Sequence, residues 1–136
     1  MIIDIHRHLV DRDWFSNNYW VGFAKMALPI LKRMGVDADI DMIITNILPV
    51  YYDTTGEKHV AAMEEAKIDM TVVFPFDTGL MVGEPKVPIE EQNKAVFEMA
   101  KRFPKQVIPF ATIDPRRPKA KDFVKKCFEE WGAKGL

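Results

Sequence analysis

The run Met70-Thr71-Val72-Val73-Phe74 constrains this chain most, because it reads as apolar on both of the faces between which a β-strand alternates its side chains. Such a strand needs cover on each side, which is the condition of a parallel sheet whose crossovers are helices. The flanking segments carry the helical period. Val60, Met63 and Ala66 point one way on a helix that runs to about Lys67; beyond a Gly/Pro-containing loop from Asp77 to Pro88, a second helix begins near Ile89, carries Val96, Met99, Ala100 and Phe103 inward, and closes at Pro104. Val107 to Ile113 predicts another strand, with Pro109 near its start because a central strand cannot spare the backbone donor. Ala120, Phe123, Val124, Cys127, Phe128 and Trp131 mark a helix from about Pro118 to Trp131, after which a further strand begins at Leu136.

At the other end, residues 1–9 alternate so that Ile3 and Ile5 share one face and Ile2, Asp4, His6 and His8 the other. From Asp13 to Val50 the period is helical, with one stripe at Trp20, Phe23, Ala24, Ala27 and Leu31 and another at Ile40, Ile43, Ile44, Ile47 and Leu48. Pro29 is expected to kink or divide the first helix and Pro49 to end the second. Strand, helices, strand, helix, strand, helix and the first residues of a fourth strand make an α/β chain with right-handed crossovers. A closed (β/α)8 barrel takes roughly 250 residues. The chain's 136 are about half of that, so it is either a small open sheet or the front half of a barrel.

The charge excludes some partners. With 19 Lys+Arg against 20 Asp+Glu, the formal net charge of −1 supplies no field for a phosphate backbone or an anionic lipid surface, so neither nucleic acid nor membrane is an expected partner. No apolar run approaches the roughly 18 residues of a membrane span, and Asp4 and His6 interrupt the apolar start, which argues against a leader or anchor. The single cysteine, Cys127, excludes an intrachain disulfide and a Cys-rich zinc module, and a reducing, cytoplasmic compartment is expected. Cys127 falls within an apolar stripe and reads as an inert core thiol, while Arg116, Arg117, Lys119, Lys121, Lys125 and Lys126 read as a solvated basic face.

Chemistry concentrates in Asp4-Ile5-His6-Arg7-His8, a D-x-H-x-H pattern at the C-terminal end of the first strand. Side chains at i and i+2 of a strand leave Cα atoms about 6.5 Å apart and point the same way. From there two imidazoles converge on one cation at about 2.0–2.1 Å. Asp4, one pleat deeper on that face, is placed to orient a ligand from outside the metal's immediate shell. Trp14 and Phe15 precede the helical stripe and are candidates to line a substrate pocket, whereas Trp20 and Phe23 read as packing. His59 is expected on a helix surface. Asp77 and Asp114 follow the second and third strands, where a barrel places active-site loops and where Asp before Thr or Pro also caps turns.

The segment IDIHRHL, together with MEEAKIDMTVVFPFD at 63–77, FATIDPRRP at 110–118 and the ending WGAKGL, resembles the amidohydrolase superfamily. Within it the chain is most similar to the branch of metal-dependent hydrolases and non-oxidative decarboxylases typified by aminocarboxymuconate-semialdehyde decarboxylase, over the N-terminal half of that fold. The resemblance implies an α/β fold that is a partial (β/α)8 TIM barrel. Residues 1–136 would form one partial-barrel domain, and 12–50 a helical insertion over the strand C-terminal ends. It implies His6 and His8 as ligands of a divalent metal, usually zinc. The superfamily's remaining ligands, a histidine and an aspartate from later strands, and its acid/base carboxylate have no counterpart within 1–136, so no catalytic residue is assigned. The implied function is that of a metal-dependent hydrolase or non-oxidative decarboxylase acting on a small cyclic or carboxylated organic molecule.

Two alternatives stand beside it. A TatD-like metal-dependent deoxyribonuclease has a similar start, but the long insertion and the near-neutral charge argue against it. An inactive half-barrel kept as an assembly module is the other. Open strand edges and an apolar concave face would favour a homodimer or higher homo-oligomer in any of these cases.

Overall fold

Strand and helix alternate as the two periods dictate. In a computed structural model that describes residues 1–136, β1 (Ile3–Arg7), β2 (Met70–Val73) and β3 (Val107–Pro109) form a parallel sheet in the order β1-β2-β3. A fourth strand begins where the sequence places it: Phe110 bridges Gly135 in parallel, and the Ala111 N–H donates to the Gly135 carbonyl at 2.9 Å. The helices are α1 (Asn17–Arg33), α2 (Ile40–Met42), α3 (Glu57–Ala66), α4 (Gly79–Val82), α5 (Ile89–Arg102) and α6 (Ala120–Glu129).

The main core joins Val73 and Val107 of the sheet to Val60 of α3 and to Val96 and Met99 of α5, and it continues into Leu9, Trp14, Phe15, Trp20, Ala24, Ile43 and Leu48. A smaller core holds Phe97, Ala111, Cys127 and Ala133. Cys127 is free and fully buried, and burial pushes its thiol up to about 11. A thiol so held carries no thiolate at neutral pH.

Three backbone expectations are corrected. Pro29 lies inside α1, which runs unbroken through it. The bond it forfeits would go to the Lys25 carbonyl, and both residues lie on the exposed side of the helix. Pro49 does not follow a regular helix: α2 widens into a π turn at Ile43–Ile47 and tightens into a 3-10 turn at Leu48–Tyr51 that contains the proline. A residue without an N–H cannot continue the i→i−4 ladder, and the chain changes pitch around it. Pro109 ends β3 rather than starting it; its carbonyl accepts from the Lys134 N–H at 2.9 Å, so its missing donor lies on the side where the fourth strand only begins.

Two features of the fold position the site. Antiparallel bridging of Val10 and Asp53, with the Asp53 N–H on the Val10 carbonyl at 2.8 Å, closes the neck of the excursion that carries α1, α2 and the turns after them. Trp20 Nε1 donates to the Arg12 carbonyl at 2.9 Å and Gln92 Nε2 to the Trp14 carbonyl at 3.0 Å, which ties this excursion to itself and to α5. The second feature is an irregularity in β1. Asp4 lies opposite Thr71 and Arg7 opposite Val73, so three steps on β1 match two on β2 and one residue is extra. The bulge inverts the alternation between Asp4 and the histidines. Asp4 and Arg7 share the face of Thr71 and Val73, and His6 and His8 belong to the opposite face.

Candidate metal centre

His6 and His8 meet at the end of β1. Their Nε2 atoms stand 3.1 Å apart, and His8 Nδ1 lies 3.0 Å from the carbonyl oxygen of Phe74, just past the end of β2. A carbonyl only accepts, so Nδ1 of His8 carries the proton and Nε2 presents its lone pair. Two nitrogens on a tetrahedral cation at about 2.0–2.1 Å stand about 3.3–3.4 Å apart, so the observed spacing fits a shared cation closely. The Phe74 ring packs edge-on against both imidazoles, at centroid distances of 4.9 and 4.6 Å, and Phe76 stacks on His8 at 5.4 Å. Burial lowers the His8 pKa below the usual imidazole value; the Phe74 carbonyl opposes this, and the charges of His6 and Arg7 reinforce it. The pair stands alone, since no group of three or more His, Cys, Asp and Glu side chains is placed to hold a metal.

The other candidates are placed differently. Asp4 does not orient an imidazole: its Oδ1 accepts from the main-chain N–H of His6 at 3.1 Å, and the bulge sets it on the far face. The Phe74 carbonyl occupies the orienting position instead. Trp14 is a core residue, 4% exposed and outside the cavity described below, because its neighbours in the main core leave it no open side. Phe15 does line that cavity. His59 is half-buried rather than on the helix surface, with Nε2 3.2 Å from Thr71 Oγ1, so it links α3 to β2. Burial lowers its pKa most, the Arg7 charge adds to that, and Asp4 and Asp53 oppose it.

Asp77 and Asp114 are both committed to arginines. Arg117 grips Asp77 with two bonds, Nε to Oδ2 at 2.6 Å and Nη2 to Oδ1 at 2.7 Å, and reaches Glu84 with Nη1 and Nη2 at 2.9 and 2.8 Å. Burial works to raise the Asp77 pKa, but Arg117 and the main-chain N–H groups of Asp114 and Gly79 outweigh it and hold the carboxyl below its usual value. Arg116 hydrogen-bonds Asp114 and lowers that carboxyl to about 2. Neither acid is free to move a proton at neutral pH.

Beside the histidines lies a cavity of about 390 Å³. Thirteen of its fifteen lining residues are hydrophobic, with Phe15, Tyr19, Trp20 and Phe23 from the first half of the excursion, Ile43, Ile47, Leu48 and Tyr51 from the second, and Phe76 from the β2 end. Arg7 and His8 are the two exceptions. Phe76 and Tyr51 carry no signal that sequence periodicity would single out, since Phe76 lies in an irregular segment and Tyr51 at the end of a short 3-10 turn.

No protein-family model and no curated protein matches this sequence. Solved structures do. 5-Carboxyvanillate decarboxylase from Novosphingobium aromaticivorans, complexed with manganese and 4-hydroxy-3-methoxy-5-nitrobenzoic acid, aligns over 100% of this chain and 40% of its own, at 17% identity and a TM-score of 0.59. A mutant of the same enzyme with bound manganese aligns over 100% of this chain and 41% of its own, also at 17% identity and 0.59. The chain has an α/β fold that matches part of a TIM barrel. It spans about 40% of the length of the solved structures it matches. A weaker likeness, with a TM-score of 0.46 and 17% identity over 99% of this chain and 40% of the other, is to 4-oxalomesaconate hydratase from Rhodopseudomonas palustris. The two matches at a TM-score of 0.59 bear out the partial α/β barrel expected from the sequence, as a fold.

Proposed function

We propose that residues 1–136 form one partial-barrel domain carrying the first two metal ligands, His6 and His8, of a metal-dependent decarboxylase or hydrolase, with residues 12–50 as an insertion over its mouth. The observation that carries this reading is the 3.1 Å spacing of the two Nε2 atoms, with the His8 tautomer set by the Phe74 carbonyl. Imidazole donors favour zinc, though the matched decarboxylase holds manganese. When bound, such a cation acts as a Lewis acid on a substrate oxygen. The chain's own residues do the rest: His6 and His8 hold, the Phe74 carbonyl orients His8, and the rings of Phe74 and Phe76 pack against the imidazoles. The substrate proposed is a small cyclic or carboxylated organic molecule, which accords with the apolar cavity. A partial set of ligands predicts negligible turnover for residues 1–136 alone.

The test uses Mn²⁺ as a paramagnetic probe. Protons of 4-hydroxybenzoate should relax faster with Mn²⁺ and this protein than with Mn²⁺ alone, and the enhancement should vanish in His6→Ala/His8→Ala. Equal relaxation in the two proteins would overturn the reading.

The protein is further proposed to be cytoplasmic, as its one cysteine suggests, and to assemble. No helix of the structure is long and apolar enough to cross a membrane. β1 is a sheet edge on which Ile3 and Ile5 are 42% and 75% exposed, with Ile2 just before it at 58%, and a second copy would bury them. Light scattering over a concentration series should report a dimer or larger species. A monomer at the highest concentration, with strand amides protected from exchange, would refute the proposed assembly.

A further inference from the structure

The cavity beside the histidines is larger than a single ring requires. A dry cavity of roughly 150 Å³ lined by Leu, Ile and Phe already holds one benzene molecule, and this one measures about 390 Å³. Its length follows α1. Tyr19, Phe23, Ala27 and Leu31 line it at every fourth residue, so they form a stripe on one face of the helix, and from Tyr19 to Leu31 the helix rises about 18 Å. The two ends of that stripe differ. Tyr19 stands at the histidine end, since its ring meets Phe76 at 6.5 Å and Phe76 stacks on His8. Past Phe23 the lining turns aliphatic, with Ala27, Ile30 and Leu31 from α1 and Ile43 and Ile47 from the second half of the excursion. Ala27 has the smallest side chain of the stripe and leaves room at its middle. Ile30, beyond it, is 55% exposed and gains cover from whatever lies along the channel.

We propose that this cavity takes a molecule with an unbranched alkyl tail, its head beside His8 and its tail running along α1 past Ala27 toward Ile30 and Leu31. The inference deepens the reading of the cavity as a substrate site and rests on it, but the tail is recognised without the metal. Ala27 is then the residue that sets how long a tail is accepted: a methyl group at that point of the stripe lets a chain pass, and a ring closes the channel. The far end carries no charged side chain, so it selects by length and not by hydrogen bonding.

The test uses the straight-chain primary alcohols from 1-butanol to 1-decanol in metal-free buffer, read from the fluorescence of Trp20 and Tyr19 and from ligand-observed NMR. In the wild-type protein affinity should rise about fourfold per added methylene and then level off once the tail has filled the channel. Ala27→Phe should bring the plateau to a shorter alcohol and leave 1-butanol affinity unchanged. Leu31→Ala, which frees space at the far end instead of filling it, should move the plateau to a longer one, so the reading does not depend on Ala27→Phe folding. His6→Ala/His8→Ala should keep both the gradient and the plateau, which separates a failure of this proposal from a failure of the metal reading. Affinity that does not grow with chain length, or a plateau that neither Ala27→Phe nor Leu31→Ala moves, would overturn it.

Discussion

The His6→Ala/His8→Ala variant will come out of dialysis against Zn²⁺ or Mn²⁺ without bound metal, while the wild type retains it. Removing groups that merely orient a ligand costs about 10–100-fold in metal affinity, so removing the ligands themselves will cost more than that. Only neutral imidazole binds a cation, and affinity therefore falls as the solution becomes more acidic. Burial holds the His8 pKa below the ordinary value, so protons displace metal from that nitrogen at a lower pH than from a solvated histidine. Elemental analysis across a pH series measures both effects. Equal metal content in the two proteins at neutral pH would remove His6 and His8 from the site.

The second large effect lies in the loops. Arg117→Met will lower the unfolding free energy by about 3 kcal/mol or more, the scale on which breaking one side of a buried pair destabilises a protein. Asp77, whose side chain is 3% exposed, is left without its counter-charge, while Glu84 at 57% returns to water without penalty. The sign with pH follows from the carboxyl. In the wild type the folded pKa of Asp77 is depressed, so the pair's stabilisation is complete above the unfolded value of about 3.9 and is lost as pH falls through the folded one. In Arg117→Met the Arg117 bonds and charge are lost while the N–H groups of Asp114 and Gly79 remain, so the pKa rises from its wild-type value, protonating Asp77 costs less, and the gap between variant and wild type narrows in acid. Urea melts at several pH values, with Arg117→Met/Asp77→Asn as the partial rescue, measure this. A variant within half a kcal/mol of the wild type, on the about 0.5 kcal/mol scale of ordinary surface substitutions, would show that the clasp contributes little.

The order of elements was readable because it rests on repeated signals: the two-faced apolar run of β2 and the amphipathic stripes of α5 and α6 each involve several residues that agree. The histidine pair was readable because its signal is local. What escaped depends on single residues or on distance. One extra residue in β1 moved Asp4 to the wrong face, and an alternation argument cannot register an insertion of one. The basic run after β3 read as solvated, yet Arg117 is 16% exposed and paired 40 positions away, a separation that leaves no periodic trace. His59 was assigned to a surface because its partner, Thr71, lies on a strand rather than on its own helix. Trp14 looked free because it preceded the stripe, and it is the fold of the whole excursion that encloses it.

The acceptor that fixes His8 is a main-chain atom, and that bears on how this centre tolerates sequence change. An orienting carboxylate can be lost in one substitution. A carbonyl cannot, because every amino acid has one. Position 74 can exchange its ring for another side chain, altering how the imidazoles are packed, and the nitrogen that faces the cation will still be the same one. Only a shift of the β2 end against β1 would change it, so in this centre tautomer identity is inherited from strand pairing rather than from the residue at any single position.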